Sequence, residues 1–146
     1  MANVAVLTDS TASIPEELLE RLHIQTVAYY IHRGQEVLRD LVTIQRAEFL
    51  QWLMTARFLP TTASPGPGDY FEAYRRLANQ GIKEIISIQM SSKVSGGFQA
   101  AMVARTMMQD EYPDVHIEVI DTQNAALCQG WMVVEAARGA LAGLSL

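Results

Sequence analysis

The chain has 146 residues, 49% hydrophobic and 18% charged. That is the size of one domain, with enough apolar surface to exclude a disordered chain. Eleven Lys and Arg against sixteen Asp and Glu leave a net charge of −5, the wrong sign for non-specific binding to nucleic acid or an anionic membrane.

No apolar run approaches the ~20 residues of a bilayer span, and no basic stretch leads into an apolar one at the N-terminus. The single cysteine, Cys128, has no partner for an internal disulfide, and no Cys/His spacing resembles a zinc site. The expectation is a soluble, cytoplasmic domain with no membrane span, no nucleic-acid partner, no metal and no cofactor.

In chain order, residues 4–7 form a continuously apolar run, the pattern of a strand covered on both faces. Ser13 with Pro15 and Glu16 has the form of a capping box opening a helix through Leu18, Leu19 and Leu22. Residues 26–31 predict the second strand, and Gly34 with Arg39-Asp40 marks a looped excursion after it. Thr43 is the expected cap of a second helix carrying Phe49, Leu50, Leu53 and Met54.

Residues 60–68, with three prolines and two glycines, predict a long loop. A third helix opens near Gly68 or Asp69, repeats Tyr70, Tyr74 and Leu77 at helical spacing, and ends at Gly81. Strands at 85–88 and 117–120 then alternate with helices at about 95–109 and from Asn124 towards Gly139 or Gly143. Strands joined by helical crossovers predict an α/β fold: a mainly parallel sheet with helices on both faces, in one domain.

Open parallel sheets bind ligands at the carboxyl ends of their strands. Four hydroxyl-rich segments fall there: Thr8-Asp9-Ser10-Thr11, Pro60-Thr61-Thr62-Ala63-Ser64-Pro65-Gly66, Ser91-Ser92-Lys93-Val94-Ser95-Gly96-Gly97 and Asp121-Thr122-Gln123-Asn124. Hydroxyls beside a helix N-terminus suit a small anion, because the free amides and the dipole assist. Ser95-Gly96-Gly97 is the best placed, since glycine lets the backbone approach a ligand. The same residue types also serve as caps and turns.

Signals for catalysis are weak: no phosphate-binding loop, dinucleotide fingerprint or Gly-x-Ser-x-Gly elbow is present. His23, His32 and His116 read as surface or edge residues, and Cys128 as a small core residue. Asp9 and Asp121 read as loop braces or caps rather than metal ligands, and Lys93 either adds charge to an anion site or is simply exposed. Met90, Met102, Met107, Met108 and Met132 suit either core filling or a pocket for an alkyl chain.

Taken together the segments resemble the N-terminal domain of the DegV family, bacterial fatty-acid-binding proteins. The matching blocks are Thr8-Asp9-Ser10-Thr11-Ala12 with Pro15-Glu16-Glu17-Leu18, Pro60-Thr61-Thr62 through Pro67-Gly68-Asp69, Ser91-Ser92-Lys93-Val94-Ser95-Gly96, and Val119-Ile120-Asp121-Thr122. The Arg39-Asp40 loop is also similar to the family's. The resemblance implies a binding protein rather than an enzyme. It would hold the carboxylate of a long-chain fatty acid with Thr62 and Ser95, with Thr61, Ser92 and Gly96 as neighbours and Ser10 walling the site. It also implies presentation of that carboxyl group to a separate fatty acid kinase subunit.

Two blocks depart from the family: Ala63-Ser64-Pro65-Gly66 stands where Ser-Gln-Pro-Ser is usual, and Ser95-Gly96-Gly97-Phe98-Gln99-Ala100-Ala101 has lost hydroxyls. The family is about twice as long, which implies that residues 1–146 are the N-terminal α/β domain and that the C-terminal lid domain is absent. An apolar face left exposed would favour a homodimer. Two other readings remain open: a phosphotransfer-type enzyme domain related to dihydroxyacetone kinase, using Asp9 or Asp121 with a divalent metal, and a protein-interaction fragment without ligand.

Overall fold

In the computed structural model, which describes residues 4–146, β1 (Val4–Asp9) runs through a 3-10 turn (Ser10–Ala12) into α1 (Glu16–Arg21) and β2 (Gln25–Val27). Then come β3 (Tyr30–Arg33), β4 (Glu36–Arg39), α2 (Arg46–Thr55), β5 (Thr61–Ala63) and α3 (Pro67–Asn79). β6 (Glu84–Gln89), α4 (Gly97–Glu111), β7 (His116–Asp121) and α5 (Ala126–Leu141) complete the chain. β2, β1, β6 and β7 lie in that order in one four-stranded parallel sheet. β4, β3 and β5 form a separate three-stranded antiparallel sheet.

The alternation of side chains along a strand decides what covers each face. Val4 and Val6 of β1, with Ile88 of β6, meet Val133, Val134 and Ala137 of α5 together with Ile14 and Ile24. Leu7, Ile85, Ile117 and Val119 point the other way, onto Tyr70, Tyr74 and Leu77 of α3 and Ala101, Ala104 and Met108 of α4. Helices therefore cover both faces, as the continuously apolar strands predict. α5 sits very close to the sheet's edge loops: a Cβ on Gly130 would stand 2.2 Å from the carbonyl oxygen of Ala12.

Several local expectations are corrected. Residues 26–31 are not one strand. The amide of Tyr29 donates to Ser10 Oγ at 3.1 Å instead of to a neighbouring strand, so the chain leaves the parallel sheet after Val27 and re-enters pairing as β3 of the small sheet. The excursion after it is a tight hairpin with Gly34 at φ +65° in the turn, and the loop at 60–68 contains β5.

Ser13 caps nothing. It lies at φ +56°, donates to the Thr11 carbonyl, and leaves α1 to begin after Pro15 without a side-chain cap. Thr43 accepts from the Arg39 amide at 2.7 Å, and α2 starts after Gln45. Cys128 is exposed, because it falls one residue off the buried stripe of Gln129, Gly130, Val133, Val134, Ala137 and Ala140. Among the methionines Met108 is core, whereas Met107 and Met132 are exposed.

Candidate functional site

At the carboxyl ends of β1 and β6 the polar groups interlock. Asp9, only 1% exposed, accepts through Oδ1 from the amide and hydroxyl of Thr11, and through Oδ2 from the amide of Met90 and Nε2 of Gln129, each of the last two at 2.9 Å. Gln129 also donates to Thr8 Oγ1, whose own proton goes to the Ile88 carbonyl at 2.7 Å. One buried carboxylate thus ties β1, the loop after β6 and α5 together, with both oxygens occupied by donors from the chain itself. Asp9 is a brace, the bland reading of its position in the sequence.

Asp121 plays a similar part at the surface. It accepts the Ser92 hydroxyl at 2.5 Å and the amides of Ser92 and Gln123 at 3.1 and 2.9 Å. The Ser92 hydroxyl above all holds the Asp121 carboxyl below the usual carboxylate range, with the Gln123 amide next in effect and Lys93 adding a smaller push. These contacts dock the loop after β6 against the loop after β7, and the Ser91 amide adds a bond to the Asn124 carbonyl at 2.9 Å.

The docked loop delivers Ser95 to the N-terminus of α4, whose cap residue, Gly96, has no side chain to offer. Ser95 Oγ accepts from the Gly97 amide at 3.2 Å and is hydrogen-bonded to the phenol of Tyr29. Gly97 leaves little room for a side chain, since a Cβ would stand 3.1 Å from both the Tyr29 and the Tyr70 phenol oxygens. Behind them Tyr70 donates to Gln89 Oε1 at 2.7 Å, Gln89 donates to Ser87 Oγ at 2.9 Å, and Tyr74 donates to the same Ser87 oxygen at 2.7 Å. Burial pushes the phenols of Tyr29, Tyr70 and Tyr74 up, so all three keep their protons at neutral pH.

The predicted site residues divide as follows. Ser10 is buried and its hydroxyl accepts the Tyr29 amide, so it holds the segment that carries Tyr29. Ser92 has its proton committed to Asp121. Gly96 is exposed, and Ser64 Oγ lies 3.6 Å from where a Cβ on it would stand, which brings the segment after β5 up to the start of α4. Thr61 and Thr62 are both exposed in β5, on opposite faces: Thr62 is paired with Ile31 and Thr61 with His32.

Tyr29 immediately precedes β3, which pairs with β5. Its bond to Ser95 therefore ties the small sheet to the N-terminus of α4. Sequence reasoning missed Tyr29, Tyr70, Gln89 and Gln129. The legible signals were two: a polar residue interrupting the apolar stripe of α5, and phenols at positions otherwise read as core.

His23 and His116 are exposed, and His32 is half-buried within β3. Among the described residues no group of three or more His, Cys, Asp and Glu side chains could hold a metal ion, and no helix is long and apolar enough to cross a membrane. Two surface cavities of ≈ 550 Å³ lie beside β2, one bordered by α1 and Arg46 and the other by α3 and Arg39. Neither is lined by Thr62 or Ser95.

Residues 3–146 match the model of a family described as "Uncharacterised protein, DegV family". The DegV domain-containing protein SCO2569 of Streptomyces coelicolor is 36% identical over 141 residues, covering 97% of this chain and 48% of the relative. A structure reported as fatty acid binding of a DegV family protein from Thermus thermophilus matches with TM-score 0.82 and 33% identity over 98% of this chain and 49% of that one. DegV of Bacillus subtilis, described as a fatty acid binding protein, matches with TM-score 0.89 and 29% identity, covering 100% of this chain and 50% of its own. The chain spans about half the length of the curated relatives it matches.

Proposed function

Because the chain belongs to the DegV family, we propose that it binds a long-chain fatty acid through its carboxylate, with Ser95 and Thr62 as the principal donors. The observation that carries the reading is Ser95 itself: a half-buried hydroxyl at the N-terminus of a 15-residue helix whose cap residue is Gly96, with Ser64 of the hydroxyl-rich 60–66 segment close to Gly96. A carboxylate placed there meets neutral donors and the positive end of the helix dipole. Fatty acid binding by the Thermus and Bacillus relatives, which share the fold, supports the same ligand class.

Gly96 leaves the backbone open to the head group, and Thr61, Ser92 and Ser10 shape the surroundings, Ser92 and Ser10 through the loops they dock. The acyl tail would be shielded by surface supplied from outside these 146 residues, by a second domain of the lid type or by a second copy of the chain. The part we assign to this chain is binding rather than turnover: its carboxyl group would be offered to a separate acyl kinase subunit that forms the acyl phosphate. Asp9 supports that division of labour, since both of its oxygens are already occupied by chain donors.

Native mass spectrometry of the purified chain, repeated after lipid extraction, tests the binding. The expected result is an adduct of fatty-acid mass that extraction removes and that a Thr62→Val/Ser95→Ala double variant no longer carries. A folded double variant that keeps the adduct at full occupancy would remove these two residues from the site.

A further inference from the structure

Tyr29 is 7% exposed, and the partner of its phenol oxygen among the described residues is the Ser95 hydroxyl. A buried phenol whose proton finds no acceptor forfeits a bond that water would have supplied. If Ser95 donated, the Tyr29 proton would be left in that position. If Tyr29 donates, both groups are satisfied, because Ser95 Oγ can accept twice: from Tyr29 and from the Gly97 amide at 3.2 Å. A hydroxyl has two acceptor sites and one proton. With both acceptor sites filled, Ser95 has only its proton to offer a ligand.

The neighbouring phenol does not compete for this role. Tyr70 is already committed as a donor to Gln89 at 2.7 Å, and Gln89 is in turn anchored on Ser87. Gly97 keeps the space in which the two phenol oxygens and Ser95 meet, and Ser10 fixes the backbone of Tyr29 from the other side.

We infer that Tyr29 is a positioning residue that sets the polarity of Ser95, turning a hydroxyl able to donate or accept into one that only donates, so that the site takes an oxyanion and rejects a head group that can only donate, such as an alkylammonium. The inference rests on the reading of Ser95 as a carboxylate contact. It assigns head-group selectivity to a residue that need not touch the ligand. Since burial raises the phenol's pKa above its ordinary value of 10, the polarity is constant through the neutral range.

The test measures affinities for oleate and oleylamine, an ammonium at neutral pH, with the unsubstituted chain, Tyr29→Phe and Ser95→Ala, each checked for folding by thermal melting. The preference for oleate over the amine should fall by about 3- to 10-fold in Tyr29→Phe, which frees an acceptor site on Ser95, the span of one hydrogen bond's net effect on an equilibrium. Equal weakening of both ligands, with the ratio unchanged, would make Tyr29 a structural residue only and overturn the inference. Ser95→Ala separates the two layers of argument. If it leaves oleate affinity unchanged, the reading of Ser95 fails and the inference goes with it. If it weakens oleate while Tyr29→Phe keeps the ratio, the inference alone fails.

A measurement on the unsubstituted chain covers the case in which Tyr29→Phe does not fold or oleate does not bind. The bridging hydroxyl proton, observed by NMR, should correlate with the ring of Tyr29 and vanish or shift in Ser95→Ala. Assignment of that proton to Ser95 would reverse the polarity and end the proposal.

Discussion

Ser92 and Asp121 show why a hydroxyl at the end of a strand is not automatically a ligand contact. The serine's proton goes to the carboxylate at 2.5 Å, and the bond braces two loops. Its effect on Asp121 has a definite sign. The folded carboxyl is held below its ordinary value, so the stabilisation it brings is present above the unfolded pKa, about 4, and fades as pH falls through the lower folded one. Ser92→Ala should therefore move the Asp121 pKa up towards the ordinary carboxylate value, as read by carboxyl-carbon NMR titration. No movement would mean that the amides of Ser92 and Gln123 suffice to hold it. Ser95, three residues further on, differs in kind, because its hydroxyl meets no carboxylate among its bonded partners.

At the scale of elements, the packing of α5 depends on one missing side chain. A methyl at Gly130 would stand 2.2 Å from the Ala12 carbonyl oxygen, a backbone atom that cannot swing aside, so the helix or the 3-10 turn would have to move. Gly130→Ala should destabilise the chain by about 1–3 kcal/mol, the range for overpacking, and lower its melting temperature by roughly 2–4 °C per kcal/mol. A melting curve matching the unsubstituted chain would show that α5 does not seat against the turn as described.

The same elements show what the sequence could reveal. β1 was legible because its run is apolar and buried on both faces, and β6 and β7 because β-branched residues dominate them despite Ser87 and Glu118. The small sheet was not, because β5 is three exposed residues, Thr61–Ala63, in a stretch full of proline and glycine, and its existence depends on pairing with β3. Tyr29 was hidden for a related reason. Within Val27-Ala28-Tyr29-Tyr30-Ile31 nothing local distinguishes a strand interior from a break, and the break is made by Ser10, nineteen residues away. Ser95 could be singled out because glycines beside a serine at the start of a helix carry a local meaning. The orientation of its proton belongs to tertiary structure alone.

At the scale of the whole molecule the two faces of the parallel sheet are unequal. α3 and α4 cover one face out to β7 with a continuous core. On the other, α5 lies over β1 and β6, while β7, the edge strand, leaves Glu118 and Ile120 exposed. Leu127 and Trp131, one helical turn apart on α5, are 61% and 60% exposed, so the helix also carries an outward apolar pair. Large apolar side chains grouped in this way mark surfaces that associate. The occupant we propose for this face is a second copy, since the same apolar pair on each copy can meet across a two-fold axis.

The net charge of −5 opposes association at long range and is screened at physiological salt, where the Debye length is about 8 Å. Sedimentation of the chain at tens of micromolar should therefore show a dimer that persists in salt. Trp131→Glu should shift it to monomer without lowering the melting temperature of the isolated fold, because the indole is mostly in solvent. A monomer at every concentration, or a dimer indifferent to Trp131→Glu, would rule out pairing through α5.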